Sequence, residues 1–258
     1  MASEKKRPSR RSLIVTAVAA AVLAGGGVTA WQLVGDEEES RPLSTEEASR
    51  LALSRLKVYQ ASPLRVTLKA QEGNGMVVEV QGVVNYRSKH AAGSYTVSGK
   101  NGTIDQGLVV WDTGGLGLAK APADASGPAW EQAEHVPRAG WSSRSYGTDP
   151  LDAGLQLLIQ LGADRPDNPL LLVQSGPRWL GRDRIDGRDY DRIAGPRSRD
   201  AADKDTGATS PITYWLDGDG GLRRVTMRMA GLGTPTTLEI GGQDAGAKLP
   251  EAPWATAG

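Results

Sequence analysis

The chain has no cysteine and no phenylalanine, only two histidines, and no excess of charge of either sign. Each absence removes a class of function. Without cysteine this sequence has no disulfide, no thiolate metal site, no thiol nucleophile and no lipid-modified lipobox residue. The histidines, His90 and His135, fall at strand ends or in loops, and neither stands at helical metal-ligand spacing with a carboxylate. With 30 basic and 30 acidic residues, the chain lacks the basic footprint of a nucleic-acid partner. Seven tryptophans carry most of the aromatic bulk.

Familiar catalytic patterns are missing as well. There is no Gly-x-Ser-x-Gly elbow. Gly115-Leu116-Gly117 and Gly231-Leu232-Gly233 lack the third glycine and the βαβ unit of a dinucleotide loop, and read as turns. Asp217-x-Asp219-Gly220 begins like a calcium loop, but no third ligand or later glutamate follows, so a hairpin turn is expected. Asp183, Asp186, Asp189 and Asp191 are interleaved with Arg182, Arg184, Arg188 and Arg192, the pattern of a solvated, cross-strand-paired face. The chain is therefore read as not an enzyme, with no catalytic residue, no cofactor and no metal site expected.

What the sequence does have begins at its N-terminus. Residues 1–12 form a basic segment with Lys5, Lys6, Arg7, Arg10 and Arg11, read as cytoplasmic. Residues 13–34 then run for 22 positions without a charge. A helix of that length spans roughly 33 Å, against about 30 Å for a bilayer core. Asp36-Glu37-Glu38-Glu39 follows. Basic residues before and acidic residues after place the N-terminus inside and the rest of the chain outside the cell membrane. A retained single-pass anchor and a signal sequence cleaved near Ala30 both fit, the second giving a secreted domain. Ser9-Arg10-Arg11-Ser12-Leu13-Ile14 also resembles a twin-arginine export signal.

Residues 35–43 read as a linker, 44–242 as one extracytoplasmic domain, and 243–258 as a flexible tail. Ser44-Thr45-Glu46-Glu47 fits a capping box, and Ala48, Leu51, Ala52, Leu56 and Tyr59 recur at helical spacing up to Pro63. The period then becomes two. Strands are expected at 64–69, 76–86, 94–97 and 103–112, an antiparallel meander. Residues 119–146, rich in Ala, Pro, Gly and Ser, read as an excursion off the sheet. Helices are expected at 151–161 and 169–174. Strands resume at 178–185 and 188–193 around Asp186-Gly187, at 212–216 and 222–229, and at 236–240.

This outline is α+β: a strongly curved antiparallel β-sheet with helices against one face. Curling around helices covers a bare face and shortens exposed edges. Alternation offers Val78, Val80, Leu108, Val110, Leu216, Val225, Met227 and Met229 as candidates for a hydrophobic ligand pocket, with ordinary core packing as the competing explanation.

Several segments, taken in order, resemble the LolA-like superfamily and its LppX/LprG-type carriers of lipids and lipoproteins. They are the capped first helix, the strand Gly82-Val83-Val84-Asn85-Tyr86, Trp141 ahead of a helical pair, the hairpin from Arg182 to Tyr190, and Ile212-Thr213-Tyr214-Trp215-Leu216-Asp217-Gly218-Asp219-Gly220-Gly221-Leu222-Arg223-Arg224-Val225. The resemblance implies a half-barrel whose concave face is closed by helices over a hydrophobic cavity. It implies a lipid or acylated ligand held there without covalent chemistry. This sequence lacks the lipobox cysteine, so residues 13–34 would tether it instead. That leaves room for a second reading: a sensory or interaction module with a filled core, partnered by an envelope protein. A secreted hydrolase is disfavoured by the scarcity of histidine.

Overall fold

The computed structural model describes residues 40–72, 75–123, 126–196 and 210–254. The membrane helix expected at 13–34 lies outside them. Among the described residues no helix is long and apolar enough to cross a membrane.

The first helix, α1 (Thr45–Gln60), starts where the capping box places it. The Ser44 hydroxyl accepts from the Glu47 amide, and the Glu47 carboxylate accepts from the Ser44 amide. The meander follows as β2 (Leu64–Gln71), β3 (Val77–Asn85), β4 (His90–Gly99) and β5 (Gly102–Asp112). Next comes β6 (Gly115–Ala119), over glycines expected to form a turn. Glycine without a third loop glycine is compatible with a strand when its neighbours, here Leu116 and Leu118, find a sheet to pack on.

The segment expected to leave the sheet does so only in part. It forms α2 (Ala129–Glu134) and a 3-10 turn at Arg138–Gly140, then returns as β7 (Ser142–Ser145), paired with β6. Nothing in Ser-Ser-Arg-Ser alternates, so this strand is invisible to hydrophobic periodicity. Arg144 holds it down with a two-pronged pair to the fully buried carboxylate of Asp152, one bond being 2.8 Å. Asp152 lies in α3 (Pro150–Gln160), which is capped by Asp149 and carries Pro150 in its first turn.

The chain continues as α4 (Pro169–Gln174), β8 (Arg178–Ile185), β9 (Arg188–Ala194), β10 (Ile212–Leu216), β11 (Leu222–Met227) and β12 (Thr236–Gln243). The β8–β9 turn uses Asp186 and Gly187, both at positive φ, as a two-residue hairpin of this twist requires. Asp217 Oδ1 accepts from the amides of Asp219 and Gly221, which commits that carboxylate to shaping the β10–β11 turn.

Two ends of the domain differ from expectation. Arg41 and Pro42, inside the expected linker, pair with β8 as β1 (Arg41–Pro42). The expected flexible tail is held down as far as Trp254, whose indole donates to Asp112 at 2.8 Å, while Leu249 packs on the sheet. A tryptophan and a leucine among small residues were enough to find apolar surface that the excursion alone leaves uncovered.

Among the described residues, twelve strands form one antiparallel sheet in the order β1-β8-β9-β10-β11-β12-β2-β3-β4-β5-β6-β7. It is open, with β1 and β7 at its edges. One face packs on α1 and α3: Leu68, Val80, Trp111 and Leu238 meet Leu155, Leu158 and Ile159, all essentially unexposed. Each such aliphatic side chain contributes about 1.5–3 kcal/mol by leaving water. The opposite face is covered locally, where α2 and the tail pack on Ala92, Leu108 and Val110.

Candidate functional site

A groove of about 500 Å³ opens where α1, α3 and α4 approach β10 and β11. The size falls within the range of small-molecule sites. Leu51 of α1, Leu157 of α3 and Leu161 at its C-cap, Leu171 of α4, Ile212 of β10 and Leu222 of β11 supply apolar wall. These positions follow from local rules. Leu51 lies on the buried face of α1, and Ile212 and Tyr214 share the helix-facing side of β10 by the period of two.

Few polar groups enter. Arg55 donates to the Asp167 carboxylate at 3.2 Å and to the Gln160 carbonyl at 3.0 Å, a pair left partly open to solvent at the rim. The Ser54 hydroxyl is committed to the Leu51 carbonyl at 2.7 Å. Tyr214 brings a phenol into the groove. Burial pushes its pKa up, Arg55 opposes that shift, and Asp167 adds to it; no hydrogen bond contributes. The phenol therefore stays neutral at ordinary pH. Among the described residues the groove wall has no histidine, and its one serine is already bonded. Such a site can hold an apolar tail beside one or two polar atoms.

None of the eight pocket candidates lines this groove. Val80, Leu216 and Val225 are fully buried in the main core, and Val78 is buried on the same side, opposite Ala70 of β2. Met227 is half-buried at the end of β11, and Met229 lies just beyond that strand. Leu108 and Val110 face the other way, under α2. The reason is that Leu108 to Trp111 is buried on both faces, so a continuous apolar run hides which parity points where. Three of the candidates nevertheless stand directly across a ladder from groove residues: Leu216 from Leu222, Val225 from Tyr214, and Met227 from Ile212. Periodicity thus points to the hairpin β10–β11 that borders the groove, but to the partners of the residues that line it. Leu171 could have been suspected from the run Leu170-Leu171-Leu172, too apolar for one short helix to bury.

The charged hairpin also differs from expectation at one position. Arg182 and Asp191 are cross-strand partners, and Arg192 approaches Asp183 at 3.5 Å, as a paired face requires. Asp191 is not solvated, however. It is 4% exposed and accepts from the Trp179 indole at 3.1 Å, Arg182 at 3.0 Å and Arg50 at 2.6 Å. Burial raises its pKa, but those three donors outweigh burial and hold the carboxyl below its usual range.

Of the histidines, His135 is exposed, whereas His90 begins β4 with its Nε2 hydrogen-bonded to the Pro250 carbonyl of the tail. Two further depressions, of about 620 and 470 Å³, flank residues 133–142 on either side of Val136 and are built largely on loop residues.

No protein family and no curated protein matches the chain. Solved structures similar to it include an uncharacterized conserved protein from Thermus thermophilus, at 9% identity and a TM-score of 0.34 over 73% of this chain and 82% of that one. A domain provisionally assigned to outer membrane lipoprotein sorting, from Vibrio parahaemolyticus, aligns at 9% identity and 0.21 over 79% and 93%. A provisionally assigned lipoprotein from Parabacteroides distasonis aligns at 11% and 0.19 over 70% and 94%. The likeness is a weak one at the level of fold and assigns no family.

Proposed function

We propose that this protein is a non-catalytic, membrane-tethered extracytoplasmic domain that binds a lipid or another hydrophobic ligand. The observation that carries this reading is the apolar groove between α1, α3, α4 and β10–β11, with the Tyr214 phenol inside and an Arg55–Asp167 pair at its rim. An acyl chain suits the leucine walls, and a polar head suits the rim. The half-barrel form belongs to the same reading. It is supported by a twelve-stranded sheet too wide to stay flat, by register shifts in four of its ladders, and by α1 and α3 lying on one face. Tethering is supported by the uncharged residues 13–34 and their flanking charges.

One observation favours the alternative, an envelope interaction module without a ligand. Leu155, Leu158 and Ile159 of α3 fill the middle of the helix-covered face, so the groove lies beside the core and not within it. The unit from Glu37 onward holds its own core and can be tested alone. It would be purified without detergent, and bound lipids identified by mass spectrometry. A stoichiometric acyl species that is lost from Leu157→Trp, which blocks the groove, supports the proposal. A stable, empty domain that also refuses added lipid overturns it.

A further inference from the structure

Helix α4 reads Pro169-Leu170-Leu171-Leu172-Val173-Gln174 and cannot bury all of its apolar side chains. Leu172 packs against the core. Leu170, Leu171 and Val173 are 72%, 62% and 46% exposed, and Leu53 on α1, the helix that α4 packs against, is 39% exposed. Only one other large hydrophobic among the described residues, Ile104, is exposed in this way. Water-facing apolar side chains concentrated on one short helix mark a docking surface.

The position of α4 indicates what it docks on. Its C-cap is Ser175, and β8 begins three residues later at Arg178, which pairs with Pro42 and donates to the Ser40 hydroxyl at 2.7 Å. About 10 Å of chain therefore separates the end of α4 from the strand that meets the domain's entry point. In the sequence the uncharged run ends at Val34, six residues before Ser40, a reach of at most about 20 Å. Where that run lies in a membrane, the chain is short enough for α4 to reach the bilayer surface.

We propose that α4 docks on a lipid bilayer, with Leu170, Leu171 and Val173 entering the boundary between headgroups and acyl chains, and the mouth of the groove turned toward the membrane. Leu171 both lines the groove and belongs to the exposed set, so the docking surface and the groove mouth are continuous. A protein partner fits less well. Three side chains on one helical turn and a half offer a few hundred Å² at most, against roughly 1,000 Å² for a stable protein interface. A bilayer sets no such minimum, because the tether already supplies a high effective concentration. The inference rests on the membrane reading of residues 13–34 and not on the presence of a ligand.

The absence of cysteine makes the test clean, since a single introduced thiol can be labelled uniquely. Leu170→Cys, outside the groove wall, and Ile104→Cys, on β5 and eight strands from β8 in the sheet, would each carry an environment-sensitive dye. The full chain would be reconstituted into phosphatidylcholine–phosphatidylglycerol vesicles containing nitroxide lipids. The expected result is a blue-shifted label at position 170, quenched at least about threefold more than the label at 104, at any protein-to-lipid ratio. Equal quenching at both positions, with vesicle association that resists alkaline carbonate, overturns the docking and leaves the tether standing. Release by carbonate overturns the tether and the docking together. A blue shift at 170 that grows with protein-to-lipid ratio and is not quenched assigns the face to a second copy of the chain, and likewise overturns the proposal.

Discussion

Arg50 of α1 donates to the Asp191 carboxylate of β9 at 2.6 Å, and this bond fastens the first helix to the sheet beside Trp179. The carboxylate is 4% exposed, so removing it strands Arg50, the Trp179 indole and one bond of Arg182. Asp191→Ala is expected to destabilise the fold by about 3–5 kcal/mol, the usual result of breaking one partner of a buried pair. Urea titration of the variant checks this.

The same residue gives the stability a pH dependence. The folded pKa of Asp191 lies below the ordinary value of 3.8, so the unfolded chain takes up its proton first as pH falls. Its contribution is present above about pH 4 and disappears as pH drops through the lower folded value. Stability measured from pH 6 to pH 2 is expected to fall more steeply for the parent chain than for Asp191→Asn. Parallel curves would show that Asp191 is not responsible.

His90 responds in a higher window. Its burial lowers the pKa from 6.5, with the Pro250 carbonyl and Asp112 opposing the shift. Folding therefore favours the neutral ring. That contribution is complete above pH 6.5 and is lost as pH falls toward the lower folded value. Stability is therefore expected to decline as pH falls below about 6.5, because the unfolded chain takes up this proton first. Urea titrations at a series of pH values below about 6.5 should show that decline in the parent and a smaller one in His90→Gln.

Gly82 of β3 and Gly93 of β4 are cross-strand partners with no room for a side chain. A Cβ on Gly93 would stand 2.2 Å from the Gln81 carbonyl oxygen, and one on Gly82 would stand 2.4 Å from that of Ala92. Backbone atoms cannot yield as a side chain can. Gly93→Ala is expected to cost about 1–3 kcal/mol, as overpacking does, whereas Gly218→Ala, whose Cβ meets nothing within 4 Å, should be close to neutral. Thermal melts of the two variants separate them.

In the groove, Tyr214→Phe removes a phenol whose pKa is shifted by burial, Arg55 and Asp167, with no hydrogen bond to the described residues contributing. Stability should change by less than about 0.5 kcal/mol. Loss of a hydrogen bond to a bound polar head should weaken ligand retention about 5- to 10-fold, in line with roughly 1–1.5 kcal/mol for one such bond. Competition with a fluorescent fatty acid reads this out. Unchanged retention would remove Tyr214 from the site.

Much of this molecule was legible without coordinates. Ser44 and Glu47 define the start of α1 because a capping box is a local structure, complete within four residues. Asp186-Gly187 specifies its hairpin because positive φ is needed at both positions. The antiparallel class follows from successive strands at hairpin spacing, and the low content of histidine and the lack of cysteine shaped the search for chemistry. Tertiary structure decided the rest. Strand β7 exists because Arg144 finds a buried carboxylate in α3, a partner no local pattern reveals. Leu108 and Val110 face α2 because a strand covered on both sides carries no alternation to read. The groove lies with Tyr214, Ile212 and Leu222, and not with their partners Val225, Met227 and Leu216, because neighbouring strands share one periodicity. Which of two paired side chains is left uncovered depends on where the helices α1, α3 and α4 come to rest, and that is settled only by long-range packing.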